Sequence, residues 1–159
     1  LLRELNQNTD WRKLVGRKSD RLKDLELILR FFSLYYHSDT YKRPMKDFLN
    51  KNMGKNRNCE LHKATELREL FNKTISTIFE KFGSDAFRRD ASVNAALLDA
   101  VMYATAIRIK LAKSINDAEW ISNYKKLLLN EEFLQLIKQS TSDEKNVKRR
   151  LEIAIQYLG

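Results

Sequence analysis

Apolar residues recur along most of this chain at intervals of three and four, the spacing that gathers them on one side of an α-helix. The stretch from Arg21 to Met53 displays the pattern most fully. Leu22, Leu25, Leu27, Ile28, Leu29, Phe31, Phe32 and Leu34 crowd a helix that Asp20 caps and that runs to about Tyr36, with Asp24, Glu26 and Arg30 set among them. A buried charge is costly unless paired, so this segment predicts a central strut with polar contacts built in. Glu26 and Arg30 stand i, i+4 along it. His37 to Arg43 then reads as a loop, and Pro44 suits the first turn of a shorter helix ending at Met53.

The same pattern extends in both directions. Leu1 to Asn6 is a short helical piece, and Thr9 or Asp10 caps a second one that carries Trp11, Leu14 and Val15 before Gly16. Gly54 to Asn58 is polar and reads as a loop. Glu60 to Phe82 is the longest helix, with Leu67, Phe71, Ile75, Ile78 and Phe82 on a wide stripe and Gly83 ending it. Ser84 caps a turn containing Phe87. Asn94 starts a strongly apolar helix to about Ala112, whose alanines permit close helix approach, so it belongs at the centre. Asn116 caps the next helix, with Trp120, Tyr124, Leu127 and Leu128 facing in. Glu131 to Gln139 is short, and Ser142 caps a last helix bearing Val147, Leu151, Ala154, Ile155 and Leu158. About eight helices and no strand make an all-α fold, an irregular helical bundle with short connections in a single domain over residues 1–159.

Composition narrows the class without naming an activity. Four glycines and one proline in 159 residues leave few places for hairpins. A formal net charge of +9 makes contact with a polyanion physically easy, and DNA is a natural one. Cys59 is the lone cysteine, so there is no internal disulfide, and with only His37 and His62 beside it a structural zinc site is not expected. Charges interrupt every apolar run, which predicts no membrane span and a cytoplasmic location. The chain opens on Leu1 directly in helical pattern, as a piece of a longer protein would.

Three sets of residues could carry chemistry. Asp99 sits among apolar neighbours in AALLDAVMYA, so it must be paired, hydrogen-bonded or protonated. Arg30 is one partner for it, Arg88 or Arg89 another, and a buried bridge fixing helix register is the reading preferred over a functional acid. Basic clusters recur at Lys42–Arg43, Arg88–Arg89 and the run Lys145, Lys148, Arg149 and Arg150, the residues expected to meet nucleic-acid phosphates if they share a face. Finally, Arg57-Asn58-Cys59-Glu60-Leu61-His62 reads R-N-x-x-x-H and resembles the motif of HEPN ribonucleases, in which the arginine stabilises phosphate charge and the histidine moves a proton. Here it lies in a polar stretch rather than an apolar helix. No phosphate loop, metal-ligand cluster or Ser-His-Asp set can be assembled, so the site expectation is no catalytic residue and no metal.

The motif segments Arg21 to Phe32, Tyr41 to Met53, and Phe79 to Arg88 with Phe82, Gly83, Ala86 and Phe87, taken in order, resemble the helical half of the GmrSD-type restriction family. Leu5-Asn6 and Trp11 to Leu14 fit the start of that half, and Arg149-Arg150 its terminal helix. The resemblance implies a parent protein of modification-dependent restriction and phage defence. Such a parent has an N-terminal ParB-like domain that binds and hydrolyses a nucleoside triphosphate, and in many members an HNH nuclease. Neither the aspartate-glycine-glutamine-glutamine-arginine nucleotide motif nor the HNH motif occurs in this chain. The function expected from it is structural coupling in support of nucleotide-dependent DNA recognition, with the ParB-like domain and DNA as partners and no cofactor of its own. The alternatives are a HEPN-like ribonuclease using Arg57 and His62, or a bare protein-interaction module.

Overall fold

A computed structural model describes residues 1–112 and 116–159. These residues form an all-α bundle of nine helices: α1 (Leu2–Leu5), α2 (Thr9–Val15), α3 (Lys23–His37), α4 (Met45–Lys55), α5 (Ala64–Phe82), α6 (Ala95–Lys110), α7 (Asp117–Leu127), α8 (Glu131–Leu136) and α9 (Glu144–Leu158). One turn of 3-10 helix, Ser38–Thr40, follows α3. The described residues hold no strand, only a single bridge between Arg88 and Val93.

Helix α6 is the axis. Its sequence is apolar around nearly the whole circumference, and ten of its residues between Ala96 and Ala106 are buried. The alanines let α3, α5 and α9 close on it. The main core gathers Trp11, Phe31, Phe71, Phe87, Trp120 and Phe133 around this helix. A second, smaller core holds Leu34, Tyr41, Met45, Phe48, Leu49, Val147 and Leu151, which joins α4 to α3 and α9.

Helix ends follow the capping chemistry with some substitutions of one residue for another. Asn94 and Asn116 cap as expected, their side chains accepting from Leu97 N and Ala118 N, while Gly16 and Gly83 stop α2 and α5 with φ of 86° and 79°. Asn8 rather than Thr9 or Asp10 caps α2, and Asn130 caps α8. Asp20 does not cap α3, which begins behind Leu22 in the left-handed region. Asp143, not Ser142, precedes α9 and makes no side-chain cap bond. The longest helix starts at Ala64 instead of Glu60 because Asn56 captures the preceding backbone. Its Oδ1 accepts from both Leu61 N and His62 N at 3.0 Å, and its Nδ2 donates to His62 O at 3.1 Å. Residues 56–63 are thereby held as a compact turn, while Gly54 and Lys55 complete α4.

Candidate functional site

Two buried charge networks take up Asp24 and Arg30 of the strut. Asp99, 1 % exposed, is gripped by Arg30, whose Nε donates to Oδ1 at 3.1 Å and whose Nη2 donates to Oδ2 at 2.5 Å. Arg150, fully buried on α9, places Nη2 3.6 Å from Asp99 Oδ2 and donates from Nη1 to Leu136 O and Thr141 O, both at 3.1 Å. Burial works against the charge on both guanidiniums. At Arg30 the Asp99 carboxylate outweighs it, so the pKa is raised. At Arg150 burial wins over Asp99, with Arg30 adding repulsion, and the pKa is lowered. The Arg150 side chain has no exposed surface, and its charge faces the interior.

In the first turn of α3, Asp24 accepts from Asn6 Nδ2 and Arg12 Nη1, each at 2.8 Å. Asn6 Oδ1 in turn accepts from Trp11 Nε1 at 2.9 Å. This network ties α1, α2 and α3, as the first ties α3, α6 and α9.

The remaining basic candidates are mostly engaged. Lys42 pairs with Glu144 and Arg43 with Asp143. Arg149 is held by Glu132 and Glu152. Arg88 donates to Ser84 O and stands beside Asp85, and Arg89 donates to Leu128 O, so neither meets Asp99. Of the eight residues expected to contact nucleic acid, only Lys145 and Lys148 make no hydrogen bond or ion pair among the described residues. The structure brings these two together with Lys42 in one groove beside Tyr103, but Asp39, Glu144 and Glu152 line it too. Its charge is therefore balanced rather than basic.

Arg57 and His62 do share a site. Both line a cavity of about 320 Å³ between α3, α4 and the 56–63 turn, open to solvent on one side. Leu1, Leu2, Leu29, Phe32, Met53 and Leu67 supply its apolar wall, and Ser33, Tyr36, His37 and Asn52 join the two motif residues on its polar side. Tyr36 stacks on the His62 ring with centroids 3.7 Å apart, and His37 lies 6.0 Å from the same ring. Burial lowers both histidine pKa values; Lys55 and His62 add to this at His37, where Asp39 opposes, and Glu66 opposes it at His62. Both imidazoles are therefore neutral near pH 7. His62 Nε2 is buried and has no hydrogen-bond partner, an unfavourable position for exchanging a proton with a bulky polynucleotide. Arg57 stands on a turn rather than in a helix with His62. Sequence reasoning missed the cavity itself, along with Ser33, Tyr36, His37 and Asn52.

Among the described residues no group of histidine, cysteine, aspartate and glutamate could hold a metal ion, and no helix is long and apolar enough to cross a membrane. No family model, no curated protein and no solved structure matches the chain.

Proposed function

We propose that this chain is the helical coupling unit of a GmrSD-type restriction or phage-defence protein of the cytoplasm, serving structure and transmission rather than catalysis. The observation that carries this reading is the fate of the polar residues in the segments resembling that family. Arg12, Asp24 and Arg30, together with Asp99 and Arg150, are spent on interior ion pairs that clamp one helix to the next. Polar groups that served a reaction would be left facing a cleft. Here they fix α3 at its first turn and at its middle, so a displacement at α1 and α2 is passed to α6 and α9 as a rigid movement. Lys145 and Lys148 remain available to an anionic partner such as DNA. On this reading a ParB-like domain of the same parent supplies nucleoside triphosphate binding and hydrolysis.

The test uses the purified chain together with its separately produced ParB-like domain. The two should form a complex in calorimetric titration, and the chain alone should hydrolyse neither nucleotide nor nucleic acid. If DNA is contacted, mobility shifts should weaken steeply as salt rises. Failure to associate in both tests leaves a bare interaction module and refutes the coupling role.

A second reading, a ribonuclease using Arg57 and His62, is favoured by the cavity those residues share. RNA cleavage by the chain alone, abolished in both Arg57→Ala and His62→Ala, would establish it in place of the first.

A further inference from the structure

The cavity between α3, α4 and the 56–63 turn has polar groups that nothing in the fold satisfies. Seven buried side-chain nitrogen and oxygen atoms lack a hydrogen-bond partner among the described residues, and three of them, Ser33 Oγ, Asn52 Nδ2 and His62 Nε2, belong to residues lining this one space. Ser33 is 2 % exposed and Asn52 8 %. Each buried polar atom left unpaired costs on the order of 1–3 kcal/mol, so three on residues lining one space call for an occupant that pairs with them. Leu29, Phe32, Met53 and Leu67 line the same space, and ordered water alone would leave those side chains wetted.

The charge at the site narrows the occupant further. Arg57 lines the cavity and makes no ion pair or hydrogen bond among the described residues. The two imidazoles are neutral, so among the described residues the guanidinium is the one positively charged side chain on the lining. A planar guanidinium fork suits a carboxylate through two parallel hydrogen bonds. The volume of about 320 Å³ has room for on the order of ten water-sized groups, which is the scale of a substituted benzene ring or an indole.

We propose that this cavity is a binding site for a small aromatic carboxylate. Its ring lies against Phe32 and the Tyr36–His62 stack, and its carboxylate is held by Arg57 while accepting from Ser33 Oγ and Asn52 Nδ2. The site is independent of the coupling role, because none of these side chains takes part in either buried charge network.

Phenylacetate and indole-3-acetate are suitable probes, with phenylacetamide as the uncharged counterpart and phenyl phosphate as the alternative anion, each titrated into the whole chain while the His37 and His62 ring signals are followed by NMR. Saturable shifts of both rings by the carboxylates are expected, with phenylacetamide and phenyl phosphate about tenfold weaker. Arg57→Ala should weaken phenylacetate about tenfold and leave phenylacetamide unchanged. Asn52→Leu should abolish binding while the unliganded protein melts no lower than the parent, since that change removes an unpaired polar group. Absence of saturation up to about 10 mM, equal affinity for acid and amide, or binding indifferent to Arg57→Ala would overturn the proposal. Preference for phenyl phosphate with cleavage of RNA would overturn it in favour of a phosphodiester site.

Discussion

Replacing Asp99 by alanine removes the single carboxylate between Arg30 and Arg150. Arg150 then stays inside the bundle without a counter-ion and already lacks hydrogen bonds at Nε and Nη2, while Arg30 keeps only the more exposed Glu26 at 4.0 Å. Removing one member of a buried ion pair costs about 3–5 kcal/mol, because the charge left behind has neither water nor a partner. At roughly 3 °C per kcal/mol for a chain of this size, the melting temperature should fall by about 9–15 °C. Urea unfolding followed by far-UV circular dichroism gives the free energy directly, provided the dependence on denaturant is unchanged. Asp99→Asn keeps the shape and one acceptor oxygen but not the charge, so most of the loss should remain. Combining Asp99→Ala with Arg30→Met should cost less than the sum of the two single changes by at least about 1 kcal/mol, as expected for groups in contact. A loss below about 1 kcal/mol for Asp99→Ala, or strict additivity in the double variant, would refute the claim that this network fixes the register of α3, α6 and α9.

Other outcomes follow from the same geometry. Asn56→Ala removes the three hydrogen bonds that shape the 56–63 turn; a loss of about 1–2 kcal/mol is expected, with faster amide exchange at Leu61 and His62. Burial pushes the Tyr124 hydroxyl up to about 12, against about 10 in an unfolded chain. The stability it contributes is therefore present below about pH 10 and lost as the pH rises toward the folded value, and Tyr124→Phe should flatten that alkaline slope in pH-dependent melting. The same change should cost about 1 kcal/mol at neutral pH through the bond to Ala86 O. Burial raises the Asp24 carboxyl, but hydrogen bonds from Asn6 and Arg12 outweigh it and the pKa is lowered. Its contribution is present above the ordinary carboxyl value of about 3.9 and disappears as the pH falls through the folded one, so Asp24→Asn should flatten acid unfolding below about pH 4.

The all-α architecture was legible because helix periodicity and the glycine stops at Gly16 and Gly83 are local signals. Capping was only half legible. Asn, Asp, Ser and Thr compete as neighbours, and which one turns its side chain onto the helix depends on tertiary demand. Asp20 offers a cap, yet Asp24 one turn later is drawn to Arg12, and the start of α3 shifts to Lys23. Glu60 to Lys63 has helical character in sequence, but Asn56 offers those backbone groups closer partners. Arg30 could be named as a partner of Asp99 from opposite charges embedded in apolar runs. Arg150 was hidden in a basic run, though its phase was readable: it falls between Val147 and Leu151 on the face that also carries Ala154 and Leu158, all of them buried.

The cavity lay beyond sequence reasoning for a different reason. Its walls come from α1, α3, α4, the turn and α5, so no spacing in the chain brings them together. One clue was nevertheless present in α3. Leu29, Ser33, Tyr36 and His37 share a single face at i, i+4, i+7 and i+8, and that face turns from apolar to polar partway along a helix whose neighbours are core residues. A stripe that only packed would have stayed apolar, because Ser33 in a closed interface would need a partner it does not have. Asn52 repeats the anomaly on α4, buried among Met45, Phe48 and Leu49 with its amide nitrogen unpaired. Asp24, Glu26 and Arg30 of the strut meet charged partners and account for the fold. Ser33 on the same helix meets no hydrogen-bond partner among the described residues.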